Sequence, residues 1–63
     1  MRVNAKYIKI KMAEQGLTRD RLAEKSNLNP STITRTVKHG VCAPKTAGKL
    51  AQALGVPVAE VAE

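Results

Sequence analysis

Apolar positions in this 63-residue chain recur at helical spacing, and alternation of period two is weak throughout. Strands are therefore not expected. Breaker residues punctuate the chain at Gly16, from Asn27 to Pro30, from Gly40 to Pro44, and from Gly55 to Pro57. The intervals between them, about eight to thirteen residues each, suit short helices. The first runs from about Asn4 to Gln15. It turns Ala5, Ile8 and Met12 inward, with Lys6, Lys9 and Lys11 around them, Asn4 as N-cap and Gly16 as the left-handed stop. The second runs from about Thr18 to Ser26. Thr18 caps it, Asp20 favours its positive start, and Leu22 and Ala23 face inward.

A third helix opens on Asn29-Pro30, a favourable cap and first-turn pair. Ile33 and Val37, four apart, form its buried stripe, while Ser31, Thr34, Arg35 and Lys38 lie on other faces. Ser31, Thr32, Thr34 and Thr36 are mediocre helix formers, so something other than propensity is expected to select this surface. The fourth helix spans Pro44 or Lys45 to Leu54 and buries Ala47, Leu50, Ala51 and Leu54. Gly48 within it costs roughly 1 kcal/mol against alanine and reads as a point of close packing. Beyond Gly55, Pro57 starts a last turn carrying Val58 and Val61 inward. The expectation is an all-α fold: five short helices around one aliphatic core, in a single domain over residues 1–63.

Charge narrows the partners. Eleven Lys and Arg against five Asp and Glu give a net charge of +6. All the bases precede residue 50, with Glu14, Asp20 and Glu24 among them, whereas Glu60 and Glu63 follow. A basic body with an acidic end points to a polyanion, most economically nucleic acid. Tyr7 is the only aromatic residue, whereas modules that stack single-stranded bases need several. A duplex reader built on helices needs none.

Other classes are disfavoured. A chain of this size hides about 60% of its unfolded surface and is not expected to enclose a pocket of roughly 300 Å³ or more, which argues against an enzyme. No catalytic set is organised, His39 and Cys42 are two metal ligands without partners, and no cofactor is implied. Cys42 alone closes no internal disulfide. No stretch approaches the 18 or so apolar residues of a membrane span, and no signal-like apolar block opens the chain. The reading is cytoplasmic, without a membrane partner.

Only Asn27 and Leu28 join the second and third helices. Asparagine tolerates positive φ at low cost, so Asn27 suits a sharp left-handed turn. Leu28 can tuck beneath it, Ala23 lets the two helices cross closely, and Ile33 anchors the next helix. Together these residues describe a helix-turn-helix. In Gly16-Leu17-Thr18, Leu22-Ala23-Glu24-Lys25, Ser31-Thr32-Ile33-Thr34-Arg35, Gly40 and Pro44, the chain resembles the phage repressor and Cro family. The most specific match is Thr46-Ala47-Gly48-Lys49-Leu50-Ala51-Gln52-Ala53-Leu54-Gly55-Val56, and the likeness covers nearly the whole chain.

The resemblance implies a lambda repressor-like DNA-binding domain that binds double-stranded operator DNA, usually as a dimer, to regulate transcription. The third helix would lie in the major groove, with base-reading positions at Ser31 and Arg35 and Thr34 close by. Pro30 stands where the family often has a glutamine and cannot hydrogen-bond a base. Thr18, Arg19, Asn29, Thr32, Lys38 and Lys45 correspond to phosphate-contacting positions, and Arg19 can pair with a phosphate where relatives carry a clamping glutamine. Related proteins often bury an arginine of helix one against a glutamate late in helix three. Met12 and Val37 stand there and are expected to touch in the core, so that Val37→Glu alone would cost several kcal/mol. The interval from Ile33 to Gly40 is one residue longer than is common, so helix three runs on or the loop at Lys38-His39 is rearranged.

The function this implies is a repressor or Cro-like switch protein reading an inverted repeat. Its homodimer would use the domain's own surface near helices four and five, formed in solution or only on DNA. An alternative of another class is an antitoxin, with a toxin as partner, or a coactivator-type interaction module on the same fold. Apolar groups on the outer face of helix three would favour that alternative.

Overall fold

Capping chemistry sets the helix boundaries. In the computed structural model, which describes all 63 residues, α1 (Ala5–Gln15) begins where Asn4 Oδ1 accepts the Tyr7 N–H at 3.0 Å and ends on Gly16. α2 (Arg19–Ser26) begins on Thr18, whose Oγ1 accepts the Arg21 N–H at 3.2 Å. α3 (Pro30–His39) and α4 (Pro44–Leu54) each start with proline in the first turn, where a missing N–H costs nothing. Asn29 holds the N-cap position of α3, but its side chain makes no capping bond. α5 is the single turn Val58–Val61. The helices take up 70% of the chain and no strand forms, as an all-α domain requires.

The most deeply buried large aliphatic side chains come from every helix: Ile8, Leu22, Ile33 and Leu50 from the long helices, and Val61 from α5. None is more than 1% exposed, and each such burial contributes roughly 1.5–3 kcal/mol. Alanines at 23, 47, 51 and 53 fill the spaces between them. Their small size lets α2 and α4 pack closely.

Several expectations are corrected. Thr36 is 2% exposed and belongs to the interior, so the hydroxyl run of α3 does not all lie on the surface. Val58 is 42% exposed; one short turn turns only Val61 inward. Gly48 is not a point of close packing, because a β-carbon there would meet nothing within 4 Å. The added residue before Gly40 is absorbed by α3, which runs on through His39 to a left-handed stop at φ 68°.

The extended N-terminal segment is the feature that helical periodicity did not announce. Met1 and Cys42 exchange hydrogen bonds of 2.9 and 3.0 Å, and the Val3 N–H donates to Gly40 O at 2.9 Å. On the other side, the Asn4 N–H donates to Val61 O at 2.8 Å and the Glu63 N–H to Arg2 O at 3.0 Å. The result is two isolated antiparallel bridges, Arg2 with Val41 and Val3 with Ala62, rather than a sheet. Val3 is 1% exposed and fills the base of the core. A further tie joins α1 to α4: Gln15 Nε2 donates to Leu54 O at 2.7 Å, satisfying one of the carbonyls left open at the end of α4.

Candidate nucleic-acid interface

The α2–α3 corner is built by one left-handed residue. Asn27 has φ 59° and ψ 40°, the only non-glycine with positive φ, and an ordinary side chain there costs roughly 1–2 kcal/mol. Its N–H turns back to Glu24 O at 3.3 Å, and the Leu28 N–H reaches Ala23 O at 2.9 Å, closing the end of α2. Beneath the corner Ser26 is buried, and its Oγ donates to Leu22 O at 2.6 Å. The chain therefore turns within three residues, Asn27 to Asn29, and Ile33 locks α3 against the core.

Successive residues of α3 are separated by about 100°. With Ile33 and Thr36 turned inward, Ser31, Thr34, Arg35 and Lys38 form the exposed face, and Thr32 and Val37 are half-buried at its margins. Arg35 and Lys38 take part in no ion pair. Arg19, at the start of α2, reaches across to this face. Its Nη1 donates to Thr34 Oγ1 at 3.0 Å, and that hydroxyl donates to Pro30 O at 3.2 Å. Arg19 Nε also lies 3.5 Å from Asp20 Oδ1, a solvent-exposed pair of little energetic weight. Thr34 is thus occupied in orienting Arg19, whereas Ser31 and Arg35 are free to meet a partner.

Between α1 and α3 lies an open groove of about 520 Å³, lined by Lys9, Met12, Arg19, Ile33, Thr34, Val37 and Lys38. It exceeds the pocket size that chain length argued against, yet it is a surface cleft and not an enclosed chamber. Met12 and Val37 are half-buried in its floor instead of sealed in the core. Position 37 therefore lies in a groove that also carries Lys9, Arg19 and Lys38, and not in a sealed interior.

Of the sequence-derived positions, Arg19, Thr34 and Lys38 come together at this groove, and Ser31 and Arg35 adjoin them on α3. Asn29 is exposed at the start of α3 with its side chain free of capping. Thr32 is half-buried beside it, Thr18 is committed to capping α2, and Lys45 is exposed in the first turn of α4, outside the groove. Lys9 was not among those positions. The available signal was its place three residues before Met12, on the same face of α1. The neighbouring Lys11 is differently placed: its Nζ pairs with Glu14 at 3.1 Å and lies 5.5 Å from the Tyr7 ring centre. The Glu14 hydrogen bond and charge hold that ammonium above the usual lysine range. Tyr7 in turn donates to Glu60 Oε2 at 3.2 Å, tying α1 to α5.

This tight corner, with a second helix presenting a hydrophilic face, defines a helix-turn-helix protein. Residues 7–63 match the family model of the Cro/C1-type HTH DNA-binding domain, and the chain belongs to that family. Double-stranded DNA is the ligand that membership supports. No curated protein and no solved structure gives a significant match. No helix is long and apolar enough to cross a membrane.

Proposed function

We propose that this protein is a sequence-specific transcription regulator, a repressor or Cro-like switch, whose activity is binding and not catalysis. Two copies would place their α3 helices in successive major grooves on one side of an inverted-repeat operator. The observation that carries this reading is the outer face of α3. Ser31 and Arg35 stand exposed there, and Arg35 makes no intramolecular ion pair, beside an arginine already oriented by Thr34. A protein-interaction module would favour apolar groups on that face; here it carries a hydroxyl and cations, which suit base edges and phosphates. Ser31 and Arg35 are assigned to bases, with Thr34 between the two roles. Arg19, Asn29, Thr32, Lys38 and Lys45 are assigned to the backbone, with Thr18 at the same margin.

Selection of bound sequences from random duplexes tests the proposal. The expected outcome is an inverted repeat with half-sites about 10 base pairs apart, centre to centre, or a multiple of that spacing. No enriched sequence would overturn specificity. A single unrepeated site would overturn the dimer and leave a monomeric reader.

A further inference from the structure

We infer that the groove between α1 and α3 seats one phosphodiester of bound duplex DNA with its flanking deoxyribose, and that Lys9 is a DNA-contacting residue. The inference rests on the DNA-binding reading above and adds a site on α1 to it. Three helices each supply one cation to the groove: Lys9 from α1, Arg19 from α2 and Lys38 from α3. No carboxylate is among the lining residues, and neither Lys9 nor Lys38 pairs with an acid anywhere in the molecule. Arg19 is held toward this opening by Thr34, so its guanidinium is oriented before any ligand arrives. The floor, by contrast, is apolar, made by Met12, Ile33 and Val37.

A ligand complementary to both parts must be anionic at the rim and hydrocarbon-faced underneath. A sugar–phosphate unit has this character: phosphate oxygens accept charge-assisted hydrogen bonds from the cations, and deoxyribose carbons cover the floor. The location agrees with this assignment, because the groove borders the exposed face of α3. A strand flanking the major groove that α3 occupies would run along its edge, and contacts there position the protein without reading sequence. Lys9 then fixes α1 to the backbone in the way Arg19 and Lys38 fix α2 and α3.

The test is the salt dependence of binding to a mixed-sequence duplex of about three helical turns. Each phosphate neutralised contributes about 0.9 to the log–log slope, so a contact is worth about eightfold in affinity at 0.1 M salt. Lys9→Gln is expected to reduce the slope by about 0.9 per bound copy, to weaken all sequences alike and to leave melting unchanged. Lys9→Arg should restore the slope. Lys49→Gln removes the same charge from the separate groove between α2 and α4, and should retain the wild-type slope. Inorganic phosphate at matched ionic strength should not compete, since it offers nothing to the apolar floor; competition would overturn the assignment of deoxyribose to that floor. A steep wild-type slope unaltered by Lys9→Gln would overturn the groove assignment alone, as would equal losses from Lys9→Gln and Lys49→Gln. A wild type insensitive to salt would instead overturn the DNA-binding reading on which the groove depends.

Discussion

Replacing Arg35 with alanine separates base reading from backbone binding. Arg35 lies two residues beyond the buried Ile33, about 200° around α3, and is exposed without an ion-pair partner. Its removal should therefore change folding stability by no more than about 0.5 kcal/mol. The effect should fall on binding. A bidentate arginine–guanine contact discriminates by roughly 1–3 kcal/mol, so a dimer engaging two half-sites stands to lose about 2–6 kcal/mol, or roughly 30-fold to 10⁴-fold. The assay is an anisotropy titration of wild type and Arg35→Ala against the selected operator and symmetric single-base variants of it. One guanine in each half-site should lose its advantage, and combining Arg35→Ala with that base change should cost no more than either alone. Arg19→Ala and Lys45→Ala should weaken every duplex by similar factors. If Arg35→Ala also weakens every variant equally, with the base preferences intact, Arg35 contacts phosphate and the reasoning from its position on α3 fails.

Gly48→Ala should stabilise the domain by up to about 1 kcal/mol and raise Tm by roughly 4–8 °C, because the added methyl meets open space within a helix interior. A lower Tm in a calorimetric scan would restore the close-packing reading. Val3→Ala should cost about 2 kcal/mol in urea unfolding, since it empties a fully buried site under the N-terminal segment; an unchanged midpoint would mean that the segment is not docked in solution. Burial raises the Cys42 thiol above its ordinary pKa, leaving less thiolate at pH 8. Iodoacetamide should therefore modify it more slowly in the folded protein than in denaturant, and equal rates would refute this.

Helix limits were legible because they depend on chemistry within a few residues. Asn4, Thr18, Asn27 and the glycines after α1, α3 and α4 act through their own φ or through bonds three to five residues away. Periodicity likewise located the exposed face of α3, because fixing Ile33 inward determines the direction of Arg35 on a regular helix. Asn29 takes the N-cap position as expected, but its side chain makes no capping bond, which leaves the amide uncommitted.

Helix crossings and end-to-end contacts lay beyond such reasoning. The width of a helix's buried face depends on which neighbours cover it, so Thr36 went inward and Val58 stayed exposed, although local spacing suggested otherwise. Met1 to Asn4 has no periodic signature, and its backbone partners at Gly40, Cys42, Val61 and Glu63 become neighbours only once both ends of the chain have met. In the same way, the sequence alone determined that lysines surround the apolar stripe of α1. Only the packing of α1 against α3 decided that Lys9 shares a groove with Arg19 and Lys38 while Lys11 turns to Glu14, because charge becomes a site only where separate helices bring it together.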